Sequence, residues 1–460
     1  MADTTIPTLA ALARDLAESK TTSRSLVEEA LARIADANGE GGRAFTKVHA
    51  HAALLAAGAS DRLRKEGVVP SPLAGLPVSI KDLFDIAGDV TTAGSKVLRD
   101  RPPADADAVA VARLRAAGAV VIGRSNMTEF AFSGIGINPH YGTPANPYDR
   151  GSRRIPGGSS SGAAVSVSDR MAAFALGTDT GGSVRIPAAL CGIAGFKPTT
   201  ARVPREGAFP LSTTLDSVGP LAQTVACCAT VFQVLAGEET RPLKASAVSG
   251  MRLGVPTNHM LADLDVEVAE AFESALQRLS RRGARIADLA VPEFDEAAKA
   301  NVGGGISPPE AYAVHRKSIE RDQEIDPRVL ERILRGASLT AADYIDLLAT
   351  RARLMKRFAR AHYDVDALIM PTVPRVAPRI DGLERNPEAF RLANGSMLRN
   401  TSLINFLDGC AVSLPIHPPR AAPVGLMAVG FAGEDERVLS AGIAIEAALA
   451  YQGPVLVDTR

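Results

Sequence analysis

Tryptophan is missing from the 460 residues, aromatics of every kind make up 4%, cysteine occurs four times, and neither sign of charge is in excess. Each shortage excludes something. With Lys plus Arg and Asp plus Glu equal at 51, no net field draws in nucleic acid or an anionic membrane, and a small neutral partner fits better. The cysteines, Cys191, Cys227, Cys228 and Cys410, form no C-x-x-C, and the one adjacent pair is of a kind that rarely bridges to itself. That usage points to a reducing compartment, the cytoplasm. No apolar run approaches the ~18 to 20 residues that span a bilayer. The opening "MADTTIPTLAALARDLAESK" reads as an amphipathic helix carrying acids, without the basic start and unbroken apolar stretch of a secretory signal.

What is present is the composition of a folded protein, 46% apolar and 22% charged, in a chain long enough for a large core. "TSRSLVEEALARIADAN", residues 22 to 38, puts Leu26, Val27, Ala30, Leu31, Ile34 and Ala35 on one helical face, with Ser25 and Glu28 spaced as a capping box. From residue 74 short apolar runs bounded by Gly and Pro read as buried strands: "AGLPVSI", "AGAVVIG", "AAFALG", "CGIAGF", "MRLGVP", "DALIMP", "CAVSLP" and "VGLMAVG". Helical stretches alternate with them at 105 to 117, 222 to 236, 264 to 283, 339 to 363 and 433 to 451. The alternation predicts an α/β protein, its sheet covered by helices on both faces. There is no internal repeat, and "NVGGGISPPE" at 301 to 310 is the best linker candidate.

"IPGGSSSGAAV", residues 155 to 165, admits several readings. A Gly/Ser linker is the plain one, although the stretch leads directly into small apolar residues at helical spacing. A phosphate cradle lacks the required Lys-Ser/Thr. "GSSSG" formally matches the G-x-S-x-G elbow of α/β-hydrolases, with Ser160 as nucleophile and His259, His315, His362 or His417 as partner, but the preceding loop is no strand. A second turn, in "ALGTDTGGSVRIPAALCG", places Ser183 near a helix start among glycines whose N–H groups can approach a carbonyl, the ingredients of an oxyanion hole. It also reads as a simple structural cap.

A serine nucleophile needs a base, and no histidine stands in a motif-like setting. Lys81, in "PLAGLPVSIKDLFDIAG", is the one lysine inside a strand-like apolar run. It reads either as a strand-end lysine reaching solvent or as a base. The second use demands a fall of about three units from ~10.4, roughly 4 kcal/mol against the charged form, which burial can supply. Asp82, next along the strand, faces the other side.

Three pieces, "GLPVSIKDLFD", "GGSSSG" and "GTDTGGSVRIPAALCGIAGFKPT", together resemble the amidase signature family of serine hydrolases. "VVIGRSNMTEF", "YGTPANPYD" and "LDSVGPLAQTV" match its connecting segments, and "DALIMPTVP", "RNTSLINFLDGCAVSLP" and "PVGLMAVG" extend the likeness towards the C-terminus. The resemblance implies one amidase domain over 1–460, with a signature core at about 70–225, a variable pocket region at about 290–400 and a large mixed central sheet. It implies a Ser–cis-Ser–Lys triad of Ser183 as nucleophile, Ser159 as bridge after a cis Gly158–Ser159 bond, and Lys81 as base. The N–H groups of Thr180, Gly181, Gly182 and Ser183 would form the oxyanion hole. Ser161 stands where many members have glycine, and Arg185 and Asp216 would be ion-pairing or loop-pinning residues.

The implied reaction is hydrolysis of a small carboxamide through a seryl acyl-enzyme, with no metal or organic cofactor, no nucleic acid or membrane partner, and a homodimer as the expected assembly. The glutamine-hydrolysing subunit of a tRNA-dependent amidotransferase is the alternative within the family. Arg351 falls about where that subunit would hold the substrate carboxylate, while Leu398 falls where it would need an acid for the amino group. Met127, Phe130 and Phe132, in "NMTEFAFSG", lie beside the site in the family layout and read either as an apolar acyl pocket or as core.

Overall fold

The computed structural model describes residues 6–319, 324–361 and 364–450. Its centre is a mixed sheet built from β1 (Phe45–Val48), β2 (Pro77–Lys81), β3 (Val120–Ser125), β4 (Phe174–Asp179), β5 (Ala194–Lys197), β6 (Ser217–Ala222), β7 (Arg252–Pro256), β8 (Arg285–Leu289), β9 (Ala367–Pro371), β10 (Cys410–Pro415) and β11 (Gly425–Gly430). The order across it is β1-β3-β2-β4-β6-β5-β10-β11-β9-β7-β8. β2 runs parallel to both β3 and β4, and β7 parallel to β8 and β9; the other neighbours are antiparallel. β2, β3 and β4 are buried at every position, as inner parallel strands covered on both faces must be.

Each of the eight apolar runs named above contains a strand. β6 escaped that reading because Gly219 and Pro220 interrupt its apolar pattern, yet it lies between β4 and β5 with Pro220 opposite Leu176. The predicted helices are present, including Val266–Arg281 and Asp435–Leu449. The early helix runs Ser23–Ala35, but the expected Ser25–Glu28 box does not open it. Its cap is Thr22, whose hydroxyl accepts the Ser25 N–H at 3.0 Å. The linker candidate is also corrected: after a short turn the chain enters the helix Ser307–Ile319, and Gly303 and Gly304 line a cleft.

Two α-helices, Ser161–Ser168 and Arg185–Cys191, are buried all round. Ser161–Ser168 carries only Ser, Gly, Ala and Val, and every one of its residues is buried. Small side chains let it press against the sheet: Ser166 Oγ meets Ser79 Oγ of β2 at 2.8 Å. The chain just before it is thereby pinned above the sheet edge where β2 and β4 end. Among the described residues no helix is long and apolar enough to cross a membrane.

Candidate active site

Because β2 and β4 are parallel, their C-terminal ends open on the same edge, the place where α/β sheets present ligand-binding groups. β2 ends at Lys81, wholly buried. Its Nζ lies 2.8 Å from Ser159 Oγ, 2.9 Å from Thr178 Oγ1 and 3.4 Å from the Thr178 carbonyl. Burial drives its pKa from 10.5 down to about 7, against the opposing pull of Asp216 and Asp179. Asp82 does not face it, since its carboxylate is paired with buried Arg124 at 2.6 Å.

Ser159 follows a cis peptide bond from Gly158. The Ser160 N–H donates to the Ser183 carbonyl at 3.3 Å, which ties the two serine segments together. Ser160 itself is buried and its hydroxyl is directed at the Thr178 carbonyl, 3.4 Å away. No strand leads into it, so the elbow reading fails on the feature it requires. Of the histidines offered as its partners, His315 packs on Phe130 and Phe209, His417 sits by Gly192, and His259 lines the cleft that Ser183 borders, whose lining does not include Ser160. His362 lies outside the described residues.

The turn carrying Ser183 is organised by Asp179, the last residue of β4. Its carboxylate accepts the N–H groups of Gly182 and Val184 at 2.8 and 3.1 Å, and two nitrogens of Arg185 at 3.0 and 2.9 Å. Burial alone would raise its pKa, but the Arg185 charge, the hydrogen bonds from Arg185 and Asn405 and the Lys197 charge outweigh it and hold the group well below the usual carboxylate range. Gly182 has φ +132°, and a Cβ there would stand 2.2 Å from Thr401 Oγ1, so only glycine fits. One expectation changes here. The Gly182 N–H is committed to Asp179, which leaves Thr180, Gly181 and Ser183 of the four predicted donors. Asp216 pins the facing loop, accepting from Thr180 Oγ1 at 2.5 Å and from the N–H groups of Leu211 and Ser212 at 3.0 and 3.1 Å; burial lifts its pKa to about 6.

Thr180, Gly181 and Ser183 border a cleft of about 370 Å³. Phe132 and Leu398 also line it, whereas Met127 and Phe130, which share a buried core cluster with Phe132, do not. Arg351 is likewise absent from the lining; its charged neighbours are Asp408 and Glu310. The far wall comes from Pro327–Leu334 and Pro387–Phe406, helices that composition alone did not connect with the site. The second supplies Asn405, whose amide donates to the Asp179 carbonyl and carboxylate at 3.0 and 2.9 Å, and Asn394, which accepts from Ser133 Oγ and the Gly134 N–H at 2.9 Å each. The signal was three asparagines, Asn394, Asn400 and Asn405, in a helix that packs into the core, since buried amides require partners.

A buried lysine thus hydrogen-bonds a serine that follows a cis bond, and a backbone hydrogen bond ties that segment to the turn carrying Ser183. The model of the Amidase family matches residues 25–439. The chain belongs to the amidase family. Its activity is amide hydrolysis. A curated relative, 2-amino-5-chloromuconic acid deaminase of Comamonas testosteroni, is 39% identical over 408 residues, 87% of each chain. A glutamyl-tRNA(Gln) amidotransferase subunit of Roseiflexus castenholzii is 34% identical, over 94% of this chain and 93% of its own. A crystal structure of an amidase superposes with a TM-score of 0.87 at 34% identity, covering 96% of this amidase and 100% of the other chain. Fold and family together remove the α/β-hydrolase alternative.

Proposed function

We propose that this amidase cleaves small carboxamides with Ser183 as nucleophile, Ser159 as proton bridge and Lys81 as base. The observation that carries the reading is a sealed lysine with a pKa of about 7, 2.8 Å from the Ser159 hydroxyl. A base must be unprotonated at working pH, and burial supplies that condition without a histidine.

In the proposed sequence the proton of Ser183 Oγ moves to Ser159 Oγ as the Ser159 proton moves to Lys81 Nζ. Ser183 Oγ then bonds to the amide carbon, and the N–H groups of Thr180, Gly181 and Ser183 receive the oxyanion. The C–N bond breaks as the relay returns a proton to the leaving nitrogen. Water, deprotonated along the same route, releases the carboxylate and restores Ser183. Asp179 and Arg185 hold the turn and touch no reacting atom in this scheme; the ion-pairing role expected of Arg185 and the loop-pinning role expected of Asp216 agree with their bonds.

We read the whole chain as one domain, in keeping with a sheet that runs unbroken from β1 to β8. A cytoplasmic setting belongs to the same reading, supported by four buried, unbridged thiols. The likeness to an amidotransferase subunit keeps one competitor, a protein active only in a complex. Ammonia release from a panel of primary amides by the purified single chain, with Ser183→Ala as control, decides between them. Turnover without a partner is expected; its absence across the panel refutes a stand-alone amidase.

A further inference from the structure

The chain carries no net charge, but the cleft does. Of the described residues that line it four are arginines, Arg332, Arg335, Arg391 and Arg399, and none is Asp or Glu. Two of these charges are answered locally: Arg335 pairs with Glu331 at 2.6 Å and Arg391 with Glu388 at 2.5 Å. Arg399 donates to neutral acceptors, the Asn400 amide oxygen at 3.1 Å and the Met260 carbonyl at 3.3 Å.

Arg332 stands apart. Its Nε is sealed from solvent and, among the described residues, has no hydrogen-bond partner, and its guanidinium lies over the Phe132 ring, 4.5 Å from the centroid. Among the described residues it forms no ion pair, and it remains cationic at neutral pH. The helix that carries it is anchored to the signature core, because buried Glu129 accepts the Asp326 N–H at 2.7 Å, and Val329 and Ile333 are buried on its inner face. The charges that act on Arg332 are Arg335, which opposes it, and Glu331, whose carboxylate is already paired with Arg335; a fixed, partly desolvated cation with no carboxylate of its own is unfavourable unless an anion completes it. Phe132 offsets part of that cost through its ring face and leaves the planar fork available.

We propose that Arg332 is a substrate-binding residue that receives a carboxylate on the substrate's acyl portion, so that the amidase prefers the monoamide of a small dicarboxylic acid. This deepens the proposed amide hydrolysis and rests on it. The lack of an acid among the lining residues adds a second requirement: a substrate ammonium group would find no counter-charge in the cleft, so glutamine fits worse than its analogue without the amino group.

The test compares three amides of one chain length, namely glutaramate, uncharged pentanamide and glutamine. For the wild-type enzyme kcat/KM is expected to be at least about 10-fold higher for glutaramate than for either other amide, the range of a charge-assisted contact. Arg332→Gln should lower the glutaramate value by about 10- to 100-fold and leave pentanamide within about 3-fold, while Arg332→Lys recovers part of the loss. Equal or better use of pentanamide by the wild type overturns the proposal while amide hydrolysis stands. So does an equal fall for both substrates in Arg332→Gln, which marks a structural residue. If no amide at all is hydrolysed, calorimetric titration of the wild type with glutarate still decides: saturable binding lost in Arg332→Gln supports the anion site, and no binding refutes it.

Discussion

Lys81 sits where a lysine is least comfortable, and the role of base proposed for it rests on that discomfort. Its pKa of about 7 arises from burial first, with Asp216 and Asp179 pulling the other way. A base that works unprotonated predicts kcat/KM rising with pH through about 7 and then levelling; a profile flat from acid to alkaline pH contradicts the assignment. Ser183→Ala should reduce kcat by about 10⁴-fold or more, as loss of a nucleophile does elsewhere, with an unchanged melting temperature showing that the fold persists. The same lysine predicts a stability effect. Its folded pKa lies below its ordinary 10.5, so between the two values the unfolded chain binds the extra proton and stability rises with pH. The penalty is therefore full at and below neutral pH and gone above the unfolded value. Lys81→Met removes it, and the melting advantage of that inactive variant is expected to be greatest near pH 7 and to shrink towards about pH 10. A difference that does not vary with pH speaks against a neutralised lysine.

The turn after β4 shows how an element of six or seven residues is held in one shape. Asp179 takes hydrogen bonds from the turn's own N–H groups and from Arg185, while Arg185 also donates to the Thr401 carbonyl at 3.1 Å and to Asn405 Oδ1 at 2.6 Å. Removing one member of a wholly buried pair strands the other. Arg185→Met is thus expected to cost about 3 to 5 kcal/mol, read by urea unfolding; a loss below about 1 kcal/mol would be that of an exposed pair. Gly182→Ala tests the same turn sterically. The added methyl would stand 2.2 Å from Thr401 Oγ1 on a residue whose φ is +132°, so activity should fall more than stability, with Thr401→Ala, which removes that oxygen, giving partial rescue only if the clash and not the dihedral dominates.

At the scale of the molecule, the site is assembled from both halves of the chain. β5 and β10 pair in the middle of the sheet, and Asn405, more than 200 residues from Asp179, completes its hydrogen bonding. Unfolding should therefore be shared. Loss of helical circular dichroism and loss of hydrogen-exchange protection in β2 and in β10 are expected at one urea midpoint; separate midpoints would mean that the halves fold as independent units.

The order of residues alone determined the strands that are unbroken apolar runs and the amphipathic helices, because periodicity and turn chemistry are local properties, whereas the two serines and the lysine of the proposed triad were singled out by the resemblance of their motifs to a family. It did not disclose β6, whose Gly and Pro mimic a turn, nor that the Gly182 N–H is already engaged. Nor did it separate Phe132, on the cleft wall, from Met127 and Phe130, which do not line the cleft. Burial of Lys81, the completion of Asp179 by Asn405 and the gathering of four arginines around one cleft were decided by tertiary structure. Each depends on segments distant in the chain meeting in space, and the desolvation and Coulomb interactions that set their chemistry act across those distances, where sequence spacing carries no information.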